Sequence, residues 1–164
     1  MNKSIKRIIR LAIVTALYVV LTVVLSFISY GNIQFRVAEI LILLCFFRKD
    51  YAISLVLGCL IANFFSPLGM ADIIFGTLAT LASVLCIIYS KKLFVASIFP
   101  VIFNGLIVGL ELYYVLELPF IISALEVAIG EFVVVVIFGN IIFSKLRKNK
   151  EFMNLIEANQ NYEM

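Results

Sequence analysis

The sequence predicts an all-α membrane protein, six transmembrane helices packed as one bundle. Three observations predict it. Of 164 residues, 64% are apolar and only 14% charged, against roughly 45–50% and about 25% in soluble domains. Long stretches carry no charge at all, as a bilayer crossing requires. The basic residues fall into four groups, and a turn signal lies near the middle of each interval between them. A soluble globule of this size could not bury so much apolar surface. Composition therefore excludes a soluble enzyme, a disordered protein and a nucleic-acid binder. Inside a bilayer the backbone must satisfy its own polar groups, which calls for helices.

The basic groups set the topology. Lys3, Lys6, Arg7 and Arg10 precede the first apolar run, Arg48 and Lys49 follow the second, Lys91 and Lys92 the fourth, and Lys145, Arg147, Lys148 and Lys150 the last; only Arg36 stands outside them. Basic residues mark the cytoplasmic face. If all four groups are cytoplasmic, an even number of crossings separates each pair.

The first interval, 11–47, takes two helices. Leu11 to Phe35 is free of charge; it is longer than a signal-peptide core and no A-x-A site follows, so a retained helix is expected. Ser29–Tyr30–Gly31–Asn32 is the turn, and a short second helix near 36–47 opens with Arg36 and Glu39. The interval 50–90 takes two more, joined at Ser66–Pro67–Leu68–Gly69. The interval 93–144 takes the last two, joined at Glu117–Leu118–Pro119. Residues 1–147 are thus expected to form a single six-helix transmembrane domain with both termini cytoplasmic in the cell membrane, and 148–164 a polar cytoplasmic tail.

Charged residues inside membrane helices cost a few kcal/mol and are functional candidates by default. In this topology Arg36, Glu39, Asn63, Asp72, Asn104 and Glu111 all fall in the outer half of the bundle, as does Glu126. Glu131 lies roughly 7 Å deeper than Glu126 at 1.5 Å per residue. Ser97, Asn104 and Glu111 are spaced by seven and share one helix face, as do Asp72, Gly76, Thr80 and Ser83. Glu126 and Glu131 diverge by about 140°, so the two cannot face one pocket squarely. Local alternatives exist for each: an i,i+3 ion pair for Arg36 and Glu39, first-turn duty at a helix N-terminus for Asp72, a C-cap for Asn63. Five helices contributing at one depth outweigh them. Acids outnumber Arg36, which disfavours a bare anion as ligand. A cation, or a neutral ring rich in N–H donors, fits. Tyr30, Phe64, Phe65, Tyr113 and Tyr114 near the outer turns are placed to stack on a ligand or to form an interfacial belt.

Other chemistry is absent from the sequence. There is no histidine, which removes Ser/His triads and most His-based proton relays. Cys45, Cys59 and Cys86 are isolated, with no metal or redox spacing, and read as small apolar filler. No metal or other cofactor and no enzymatic activity are expected. No G-x-x-x-x-G-K-[ST] occurs, so uphill movement would draw on an ion gradient or a partner. Ala12 and Ala16 form a small-xxx-small pair that lets another helix approach closely; Gly105/Gly109 and Ala124/Ala128 do the same.

Five blocks, Phe35-Arg-Val-Ala-Glu39, Gly58-Cys-Leu-Ile-Ala-Asn63, Asp72-Ile-Ile-Phe-Gly-Thr-Leu-Ala-Thr80, Asn104-Gly-Leu-Ile-Val-Gly-Leu-Glu111 and Val127-Ala-Ile-Gly-Glu131, resemble the QueT family. Its members are substrate-binding S components of energy-coupling factor (ECF) transporters for queuosine precursors. The resemblance runs from about residue 5 to 147. It implies an ECF S-component-like bundle, an outward-facing pocket closed by the loop at about 29–35, and docking through Ala12 and Ala16 onto a transmembrane coupling subunit driven by two ATPase subunits. The ligand-binding positions it implies are Arg36, Glu39, Asn63, Asp72, Asn104, Glu111 and Glu131, the last in preference to Glu126. Ala38 and Cys45 depart from the family pattern, where Ser and Pro are common. The implied ligand is queuine or another 7-deazaguanine. The alternative is a stand-alone, ion-coupled carrier of small molecules.

Overall fold

The computed structural model describes residues 2–30 and 34–161, and among them every regular element is helical. Six helical stretches occupy the intervals that charges and turns assign. They are α1 (Lys3–Val24), α2 (Val37–Phe47), α3 (Tyr51–Asn63), α4 (Met70–Ile88), α5 (Leu93–Leu116) and α6 (Phe120–Leu146). A short α7 (Lys150–Leu155) follows. Four of them, α1, α4, α5 and α6, are long and apolar enough to cross a membrane; α2 and α3 are apolar but shorter. Large apolar side chains such as Ile13, Val24, Ile74, Leu106 and Phe138 point outward, as lipid contact demands.

The sequence explains the ends. Gly69 at the start of α4 adopts φ 57°, a conformation cheap only for glycine. The Ser66 hydroxyl accepts a bond from Leu68 N in that turn. α5 stops where Glu117 turns left-handed (φ 56°) and Pro119 then caps α6. Of the first turn, Gly31 and Asn32 lie outside the described residues, as does the middle of the expected closing loop, 31–33.

α2 is the hub. It begins as a 3₁₀ helix over Val37–Leu43 and ends as an α-turn over Leu44–Phe47. It contacts α1, α3, α4, α5 and α6, which follow one another around it as neighbours from α1–α3 through α5–α6. A helix apolar on all sides belongs in the interior, and from Ile42 to Phe47 every residue is buried. Around it, small residues set the spacing. A Cβ on Gly109 would lie 2.8 Å from Ala124 Cα, and one on Gly105 3.2 Å from Ala128 Cβ. The Gly105/Gly109 and Ala124/Ala128 pairs are thus the α5–α6 contact itself. Pro100 lies inside the continuous α5, and α6 loosens into a π-helical stretch over Phe132–Gly139 immediately after Glu131, a distortion that often accompanies function.

The basic groups meet at one end. Arg7 and Arg48 both reach Asp50, at 3.1 and 2.9 Å. The segment expected to be a polar tail crosses the same end, with Met153 and Ile156 buried in the core. Its Asn159 and Gln160 amides donate to Phe47 O (3.1 and 3.2 Å). Gln160 Nε2 donates to Cys45 O at 3.0 Å, and Asn161 Nδ2 to Phe46 O and Ser90 O at 2.9 and 3.1 Å. These donors satisfy the terminal carbonyls of α2, which a helix end otherwise leaves orphaned.

Candidate functional site

The opposite end of α2 carries the polar cluster. Arg36 caps α2 and Glu39 lies in its first turn. Asn63 ends α3, Asp72 lies in the first turn of α4, and Asn104 and Glu111 lie on the buried face of α5. Glu131 is buried on α6. All seven side chains that the sequence singles out are buried, with residue exposures of 0–3%. Glu126 is only half-buried.

Their surroundings are close. Asn63 Nδ2 donates to Asp72 O across the α3–α4 junction at 2.7 Å, so Asn63 does not serve as a C-cap of its own helix. Asp72 Oδ2 accepts from the Ser66 hydroxyl. Gly76 makes room: a Cβ there would lie 2.7 Å from Asn63 Nδ2 and 3.8 Å from Arg36 Nη1. Gly130 does so for the chain between α1 and α2, since its Cβ would lie 2.7 Å from Gln34 O. Arg36 is the electrostatic centre. Glu39, Asp72, Glu111 and Glu131 all interact with its charge. Yet among the described residues no ion pair within 4.0 Å joins Arg36 to Glu39 or to any other acid; the ion pairs lie at the basic end. The guanidinium instead sits 5.7 Å from the centroid of the Tyr30 ring, a cation–π distance.

Each of the seven also has a buried polar atom without a partner among the described residues: Arg36 Nε and Nη2, Glu39 Oε2, Asn63 Oδ1, Asp72 Oδ1, both amide atoms of Asn104, both oxygens of Glu111, and Glu131 Oε2. A buried polar group left unpaired costs about 1–3 kcal/mol, and a charged one more. Native interiors hold few such groups. Their concentration at one place gives a surface of donors and acceptors facing inward, one cationic group among four acids and two carboxamides. No group of three His, Cys, Asp or Glu among the described residues is arranged to hold a metal ion.

Two contributors are not evident from sequence reasoning. Tyr18 of α1 is fully buried and its hydroxyl donates to Glu39 Oε1. Cys59, expected to be apolar filler, lies in the polar network: the Thr80 hydroxyl and Asn63 Nδ2 approach its sulfur to 3.2 and 3.4 Å. A tyrosine within an apolar helix and an isolated cysteine carry no charge signal. The hint lay in spacing, since Cys59 precedes Asn63 by one turn. The aromatic residues divide. Tyr30 donates to Ala62 O at 2.7 Å, whereas Phe64, Phe65, Tyr113 and Tyr114 are exposed. Ser97, on the Asn104 stripe, is engaged elsewhere, accepting from Asn140 Nδ2 at 2.7 Å.

Ala12 and Ala16 are exposed on α1. They line a shallow apolar groove of about 600 Å³ between α1 and α3, with Leu57 and Ile61 on its far wall.

A profile of the QueT transporter family matches residues 8–148. A curated relative, the queuosine precursor transporter QueT of Lactococcus lactis subsp. cremoris (strain MG1363), is 40% identical over 157 residues, covering 86% of this chain and 92% of the relative. No solved structure matches. The five sequence blocks, the helical bundle and a match over most of its length establish that the chain belongs to the QueT transporter family.

Proposed function

We propose that this chain is the substrate-capturing S component of an ECF-type importer, and that Arg36, Glu39, Asn63, Asp72, Asn104, Glu111 and Glu131 bind queuine or another 7-deazaguanine. The observation that carries the site is the gathering of seven buried, partly unpaired polar side chains from α2 to α6 at one end of the bundle. A deazaguanine edge offers ring N–H and exocyclic amine donors. Carboxylates accept these, and the carboxamides of Asn63 and Asn104 both donate and accept. The excess of acids over Arg36 also suits an ammonium on the ligand. With the basic end cytoplasmic, both termini lie inside, the bundle crosses the membrane six times with α2 and α3 as its shortest spans, and the cluster faces out.

The same reading assigns the α1–α3 groove, floored by Ala12 and Ala16, to a helix of the transmembrane coupling subunit, which two ATPases drive. Purified protein should bind queuine saturably, and Glu111→Ala should weaken that binding. No saturable binding of any deazaguanine would sink the ligand, and unchanged affinity in Glu111→Ala would remove that residue. The competing stand-alone, ion-coupled carrier predicts queuine uptake in cells lacking the coupling subunits; the S component predicts none.

A further inference from the structure

α1 turns two faces to different tasks. Ala12 and Ala16 point outward, while Tyr18, about 200° on from Ala16 at 100° per residue, points inward and is fully buried. Its hydroxyl donates to Glu39 Oε1. The ring cannot retreat toward α3, because Gly58 is already the smallest neighbour possible: a Cβ there would lie 3.0 Å from Tyr18 Cβ and 3.1 Å from Cγ. The Thr22 hydroxyl donates to Tyr18 O at 2.9 Å, and the Thr15 hydroxyl ties α1 to Ser54 O at 3.0 Å. The Tyr18 ring is thus pressed against Gly58 on a helix tied to α3, while its one donor proton is spent on Glu39. The other oxygen of that carboxylate, Oε2, is buried with no partner among the described residues.

We propose that Tyr18 is a positioning residue of the ligand site. It fixes Glu39 by one oxygen and so aims the other at a donor of the ligand. This rests on the assignment of the cluster to a ligand. A phenol can serve here where an alkyl side chain cannot, because a carboxylate held by one strong bond loses the freedom to swing toward Arg36, the nearest cation of the cluster. Preorganisation of this kind lowers the ordering cost of binding.

A double-mutant cycle tests it on the purified full-length protein, with queuine as the probe. Tyr18→Phe should weaken binding about tenfold, the scale of one hydrogen bond to a charged group. In a Glu39→Gln background the same change should cost less than about twofold, because Tyr18 acts through Glu39. Tyr18→Phe binding like wild type, or an equal loss in both backgrounds, overturns the proposal. A second arm needs no ligand. The infrared difference between wild type and Tyr18→Phe should contain a carboxyl band that disappears in the Glu39→Gln background; its absence also overturns the proposal. Failure of the wild-type protein to bind queuine overturns the ligand assignment instead, and the infrared arm still decides the Tyr18–Glu39 contact.

Discussion

A buried carboxylate without a donor destabilises the protein that holds it, so under the proposed function each acid of the cluster trades stability for affinity. Glu111 is the sharpest case: it is fully buried, neither oxygen has a partner among the described residues, and Asp72 lies beside it. Glu111→Gln keeps the shape and removes the charge. We expect its ligand-free melting temperature to rise and its queuine affinity to fall at least tenfold, about 1.4 kcal/mol. A lower melting temperature with unchanged affinity would reverse the assignment. At this scale the buried cluster was legible in the sequence wherever it carries charge, because an ionisable group in an apolar helix has no cheap reason to be there. Groups whose polarity is optional escaped. Tyr18 and Cys59 are ordinary in a lipid-facing helix until the fold turns them inward.

At the scale of elements, close backbone approach decides what the helices can do. A Cβ on Gly109 would meet Ala124 Cα at 2.8 Å, and a neighbouring backbone cannot swing aside as a long side chain can. Gly109→Ala should therefore push α5 from α6 and cost about 1–3 kcal/mol. Leu110→Ala, one residue on at an exposed position, serves as the control. Melting curves in detergent should separate the two, and equal midpoints would mean that α5 and α6 are not held at this pair. Gly130→Ala makes a different prediction. Its Cβ would strike Gln34 O at 2.7 Å, displacing the segment that leads into Arg36, so queuine affinity should fall more than stability does. Charge groups and turn residues located α3 to α6 well. They could not reveal that α2 starts as a 3₁₀ helix and is enclosed by its neighbours, nor that the valine-rich run after Glu131 widens into a π-helix, because Arg36–Val37 and Glu131–Phe132, where these changes begin, carry neither glycine nor proline.

At the scale of the whole molecule, charge sorting and the C-terminal segment act together. The basic end is closed by Glu157, which bonds Arg10 at 2.7 Å and Arg48 at 3.3 Å, while Arg48 also donates to Glu157 O at 2.8 Å. Tyr51 donates to Ile156 O at 3.1 Å. Composition hid this arrangement, since residues 148–164 are polar on average, while two apolar side chains, Met153 and Ile156, do the anchoring. The hydrogen bond and charge of Arg10 hold the Glu157 carboxyl below the usual carboxylate range, and Arg48 adds to the effect. Because the folded value is the lower one, the contribution of Glu157 is complete above the unfolded value of about 4.3 and is lost as pH falls through the folded value. The residue is exposed, so salt screens the effect. Hydrogen-exchange protection in 150–161, measured against the intrinsic rate at each pH, should accordingly be high at neutral pH and fall below about pH 4. In Glu157→Gln protection should already be lower at neutral pH, with little further loss on acidification. If wild type and variant are protected alike across that range, the segment is held by the burial of Met153 and Ile156 and by its bonds to Cys45, Phe46 and Phe47 without help from Glu157, and Gln160→Ala, which removes a cap of α2, becomes the change that loosens it.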